Sequence, residues 1–167
     1  YFLPEEAVEV LASLQDNTPA VAWSFVEPQL IQALGHSTLH NIDIQRKPIA
    51  AASLGQAHRA RIKATGEEVV VKIQYPGVAS AIDTDIKTLS RLISATRLAP
   101  KALDLSGVFH ELREMLVREC DYVQERSFTE AFTSKLAHDA RFIVPKIYPE
   151  FCAERVLTTR YEPGYSV

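Results

Sequence analysis

The chain has 167 residues, 47% of them apolar and 23% charged, which is ordinary usage for a folded globular domain. A net charge of -3 without a basic stripe argues against nucleic acid as a partner. No apolar run approaches the roughly 20 residues that span a bilayer, so no transmembrane segment is expected.

The first predicted element is a helix over "LPEEAVEVLASLQDN". Pro4 suits a first turn, Glu5 and Glu6 complement the positive helix end, and Val8, Leu11 and Leu14 form an i, i+3 stripe. "NTPA" breaks it. A second helix is expected from about 25 to 34, with Phe25, Leu30, Ile31 and Leu34 apolar and Gly35 as its stop. Residues 1–47 therefore read as a helical extension, and residues 48–167 as a separate unit.

The period changes after residue 47. The run "PIAAASLGQAHRA" (48–60) leads into "AHRARIKA", "TGEE" and "VVVKIQY", a β-hairpin pattern whose turn is Thr65-Gly66. Val69, Val70 and Val71 suggest a central strand covered on both faces. Ile82, Ile86, Leu89 and Ile93 then mark a helix ending near Pro100. One long helix is expected from about Val108 to Lys135, with Phe109, Leu112, Leu116 and Val123 on its inner stripe. "FIVPKIY" and "ERVLTTRY" read as two closing strands. The layout is α+β.

Three features carry chemistry. Ala50, Ala51, Ala52, Ser53 and Gly55 form a small-residue loop; backbone N–H groups in such a loop can approach an anion, but the same residues also suit a packed β-turn. Lys72, set among valines and isoleucine, needs a partner if buried, or else points outward from an edge strand. "RECDYVQE" offers Glu119, Asp121 and Glu125, of which Asp121 and Glu125 are four apart and share a helix face. The alternative is a solvated acidic face.

An anion loop, a strand lysine and a helix glutamate together make the nucleotide-gripping half of a protein kinase. The segments "AAASLGQAHRA", "VVVKIQYPGV" and "ECDYVQE" closely resemble the UbiB/ADCK (aarF-domain) family of atypical kinase-like proteins, with further likeness in "LPEEAVEVLASLQDNTP" and "VLTTRYEPG". The resemblance implies a kinase-like N-lobe with a five-stranded antiparallel sheet and helices, behind a helical extension and without its C-lobe. It implies an alanine-rich loop at Ala50, Ala51, Ala52, Ser53, Gly55 and Gln56, with Lys72 on the nucleotide phosphates and Glu125 as its helix partner. Glu119 and Asp121 match the family's Glu-x-Asp motif. Lys72, Glu125, Glu119 and Asp121 are thereby assigned to the catalytic machinery. Thr159 falls at the gatekeeper position, and Arg160, Tyr161 and Glu162 at a hinge whose backbone would meet adenine.

The chain also departs from the family pattern. Ala57 stands where valine is usual, Phe128 where asparagine is frequent, and Arg126 where alanine is usual, which makes Arg126 a competing partner for Glu125. The Lys-x-Gly-Gln motif and the two catalytic and metal-binding aspartates are absent, so the chain, opening on Tyr1 without methionine, is read as a fragment that does not turn over alone. The implied cofactors are ATP or ADP with Mg2+, the metal ligands lying elsewhere. The implied function is an atypical kinase or ATPase linked to coenzyme Q or isoprenoid-lipid metabolism. Its implied partners are nucleotide and lipid or quinone-pathway proteins, and its implied location is cytoplasmic or peripheral to a membrane. A pseudokinase scaffold and a small-molecule kinase of the aminoglycoside or choline type remain open. His36 and His40 read as surface residues, Cys120 as a small core residue, Trp23 as packing, and Arg59, Arg61 and Lys63 as a strand's solvated face.

Overall fold

The computed structural model describes residues 20–51, 54–96 and 105–164. Four strands form one antiparallel sheet in the order β1-β2-β3-β4: β1 Ile42–Ala51, β2 Gly55–Ile62, β3 Glu68–Gln74 and β4 Val156–Arg160. Among the described residues four α-helices accompany it: α1 Trp23–His40, α2 Val78–Thr96, α3 Leu105–Glu119 and α4 Tyr122–Leu136. The helix expected over "LPEEAVEVLASLQDN" lies outside the described residues.

The β2–β3 hairpin closes through Gly66, whose φ of 75° is the left-handed conformation the turn requires. Burial in β3 alternates: Val69, Val71 and Ile73 are buried on one face, while Val70 and Lys72 are half-exposed on the other. The buried face joins Ile42, Ala60, Ile62, Val156 and Phe151 in a core that α1 covers with Val26 and Leu30. Trp23 packs against this core, as the sequence suggests. A second, smaller cluster of Tyr122, Ile147 and Leu157 anchors α4 on the opposite face.

Several expectations change. The second helix breaks at Gly35, as expected, because Gly35 departs from helical angles (φ 78°, ψ 157°), but a further helical stretch follows it as far as His40. Position 47 falls inside β1, which already begins at Ile42. The single helix expected over 108–135 is two, α3 and α4, because Asp121 caps a new helix: its carboxylate accepts the Gln124 amide at 2.8 Å. Val123 is accordingly exposed and not on an inner stripe. The sheet has four strands rather than five, since "FIVPKIY" makes only the bridge Ile147 to Thr159. Pro145 and Pro149 bracket Lys146–Tyr148 and limit pairing to two ladder bonds, Tyr148 to Thr158 and Arg160 to Lys146.

Candidate nucleotide site

On the sheet face away from α1, a cavity of about 500 Å³ is lined by Ala50, Ala51, Leu54, Gly55, Ala57 and Val70, then Lys72, Glu119, Tyr122 and Glu125. The register explains the grouping. Ala57 of β2 lies opposite Lys72, and Thr159 of β4 opposite Val70, so all four side chains share one face. The small residues Ala50, Ala51 and Ala57 leave the space open. Ala52 and Ser53 lie outside the described residues.

Lys72 and Glu125 are 53 positions apart and meet at the back of the cavity. The Lys72 ammonium donates to both Glu125 oxygens, at 2.7 and 2.9 Å. Each side chain is about two-fifths exposed, so the pair is reachable from the cavity. An ammonium has three protons; two are held by Glu125 and the third is free to meet an anion. The Tyr122 ring lies 5.0 Å from Lys72 Nζ and adds a π face to the cation's surroundings. Burial, aided by the nearby Glu125 charge, pushes the Tyr122 hydroxyl up to about 12, so it remains a neutral phenol. Arg126 does not compete for Glu125, because its guanidinium turns along the helix to Glu130 at 2.9 Å.

Gly55 is dictated by packing. A Cβ there would stand 2.5 Å from the Ile73 carbonyl oxygen and 3.1 Å from the Tyr122 hydroxyl. The loop end is tied further by the Tyr75 amide, which donates to the Leu54 carbonyl at 3.0 Å. Gln74, which the sequence reading passed over, donates to the Cys120 carbonyl at 3.0 Å and fastens the α3–α4 junction to the end of β3. Its position just after the alternating run of β3 is the available signal.

Other expected residues fall elsewhere. Glu119, the last residue of α3, lines the cavity together with Glu125, whereas Asp121 is exposed and occupied with capping α4. Gln56 borders the cavity, yet its side chain is buried and hydrogen-bonded to Val21 and His58. Arg160, Tyr161 and Glu162 are not among the cavity's lining residues. The Tyr161 amide donates to the Glu68 carbonyl at 3.0 Å, extending the sheet, and Arg160 pairs with Glu162. Arg59 is not a freely solvated strand residue: it pairs with Glu68 and its guanidinium lies 4.1 Å over the Tyr161 ring. Among the described residues, no group of three or more His, Cys, Asp or Glu could hold a metal ion. No described helix is long and apolar enough to cross a membrane.

Comparison with known proteins agrees with this architecture. Residues 13–167 match the model of the ABC1 atypical kinase-like domain. The mitochondrial atypical kinase COQ8 of Schizosaccharomyces pombe is 39% identical over 160 residues, 95% of this chain and 26% of that protein. COQ8 of Saccharomyces cerevisiae is 36% identical over 162 residues, 96% of this chain and 32% of that protein. The chain thus spans about a third or less of these relatives. A Mycobacterium tuberculosis protein, Rv3197, solved in complex with erythromycin, superposes with a TM-score of 0.69 at 32% identity, over 97% of this chain and 41% of that one. On the matched domain, the kinase-like sheet with its helices and the identity to COQ8, the chain belongs to the ABC1 atypical kinase-like (UbiB/COQ8) family.

Proposed function

We propose that this chain is the nucleotide-gripping lobe of an atypical kinase or ATPase, binding ATP or ADP with Mg2+ in the cavity in front of Lys72. The observation that carries the reading is the two-oxygen grip of Glu125 on Lys72 at the back of a cavity roofed by small residues. A lysine so held is a fixed cation with a proton to spare for phosphate oxygens, and Ala57 with Val70 supplies an apolar face for a flat base. A cavity of about 500 Å³ suits a ligand of nucleotide size. A hinge after Thr159, with adenine read by the backbone of residues 160–162, belongs to the same proposal. So do the part of Glu119 beside the phosphates and a metal site formed by residues outside this chain.

The link to coenzyme Q or isoprenoid-lipid metabolism, with lipid or quinone-pathway partners, rests on family membership. Two relatives are named as mitochondrial. A peripheral or soluble location within an organelle is therefore added to the cytoplasmic expectation, and fractionation of the tagged protein distinguishes them.

The test is a titration of MgATP and MgADP into the full-length protein, wild type against Lys72→Ala. The wild type binds, and the variant loses at least about tenfold in affinity, the scale of one charge-assisted bond. Its melting temperature stays close to wild type, because an ion pair this exposed contributes about 0–1 kcal/mol to folding. Absence of nucleotide binding in the wild type would favour the scaffold reading instead.

A further inference from the structure

Gln56 and His58 point away from the nucleotide cavity, and their side chains form a hydrogen-bonded chain across the back of β2. Gln56 Oε1 accepts the Val21 amide at 2.8 Å, and Gln56 Nε2 donates to the Val21 carbonyl at 3.2 Å. The same Nε2 lies 2.8 Å from His58 Nε2, and His58 Nδ1 lies 2.7 Å from the Gln45 carbonyl. Both residues are buried, His58 completely. Val21 is 35 positions before Gln56 and leads directly into α1.

The chain of bonds has one consistent direction. A carbonyl can only accept, so His58 Nδ1 carries the proton and its Nε2 is a bare acceptor. That lone pair in turn faces the Gln56 amide's nitrogen, not its oxygen, which leaves Oε1 aimed at the Val21 N–H. Both Gln56 amide protons and its oxygen are then used, with no alternative orientation that satisfies all partners. The Gln45 carbonyl is available because the β1–β2 register slips between Ile44 and Pro48, taking Gln45 out of the ladder. Trp23 closes the site, its ring 5.3 Å from the imidazole at 65°.

We propose that this chain is a latch: His58 orients Gln56, Gln56 fixes the Val21 lead-in of α1, and the latch thereby holds the back of the loop that roofs the cavity. Gln56 is placed for this, since it directly follows Gly55 and pairs with Ala51 on one side and Ile73 on the other. Any shift of Gln56 is passed to Ala51 and Gly55, two residues that line the cavity. His58 is a positioning residue; it sits on the far face of β2 from Lys72 and touches no part of the cavity. The effect on nucleotide rests on the proposed nucleotide reading, whereas the latch itself does not.

The experiment is amide hydrogen exchange and MgATP titration on the full-length protein, wild type against His58→Leu and His58→Gln. Glutamine can present an oxygen where Nε2 stood, and leucine cannot. In His58→Leu, exchange at Val21 and across residues 50–56 quickens about tenfold and the MgATP Kd rises by about the same factor, as for loss of one to two hydrogen bonds. His58→Gln restores both to within about threefold of wild type, half a hydrogen bond's worth. The ring nitrogens of wild-type His58 report the Nδ1–H tautomer by NMR, a readout that stands even where the leucine variant does not fold. Faster exchange at Val21 with an unchanged loop would overturn the positioning role, as would equal losses in the two variants or the opposite tautomer. A wild type that binds no MgATP would sink the nucleotide reading alone, and loop exchange would then decide the latch.

Discussion

Lys72 reaches Glu125 across 53 residues of sequence. Its need for a partner was legible, because a lysine in the run Val69 to Ile73 is costly to bury unless it is paired. Which acid answers was legible only through family resemblance; spacing put Asp121 and Glu125 on one helix face without choosing between them. The direction of Gln56 was missed, although strand parity carried it: Gln56 and His58 share a face that Ala57, opposite Lys72, does not. Gly55 likewise reads in sequence as loop freedom, while its neighbours show close approach. Gly55→Ala forces a backbone shift, because the 2.5 Å contact is with a main-chain oxygen that cannot rotate away. We expect a loss of about 1–3 kcal/mol in urea unfolding, together with weaker nucleotide binding than wild type. A variant with wild-type stability would mean that the loop relaxes freely and that the glycine serves conformation alone.

At the scale of elements, hydrophobic spacing located the hairpin and α2 and failed at the α3–α4 junction. The apolar stripe of Phe109, Leu112 and Leu116 continues in register with Val123, so periodicity gives no sign of a break. The sign was chemical: Asp121, three residues before Gln124, is a helix-capping residue lying inside a helical pattern. The new start matters because it points the first turn of α4, and with it Glu125, at Lys72. Gln74 secures the same junction from the sheet side. Asp121→Ala removes the cap and should cost about 1 kcal/mol, or about 2–4 °C in melting temperature for a chain of this size. Asp121→Asn or Asp121→Ser, which keep an acceptor oxygen, should recover most of it. If alanine melts with wild type, the helix start is set by Gln74 and packing instead of the cap.

At the scale of the molecule, β3 divides two jobs between its faces. Val69, Val71 and Ile73 build the core beneath α1, while Val70 and Lys72 line the cavity beside α4. The α+β class was legible from segment order and the antiparallel sheet through the family resemblance, but the strand count was not, because two prolines cut the fifth strand to one bridge. Phosphoryl transfer needs a divalent ion bridging the phosphates and a group that takes the acceptor's proton. The described residues offer Lys72, Glu125 and Glu119 at the cavity, with no cluster able to hold a metal ion. On the family resemblance, which assigns the catalytic and metal-binding aspartates to segments other than these, we propose that residues 1–167, expressed alone, show no Mg2+-dependent ATP hydrolysis above a blank in a phosphate-release assay. Nucleotide binding by the same sample, seen as a rise in melting temperature with ATP concentration, separates an intact but incomplete site from a misfolded one. Hydrolysis that disappears in Lys72→Ala would overturn the expectation, since the lobe would then hold a complete catalytic set.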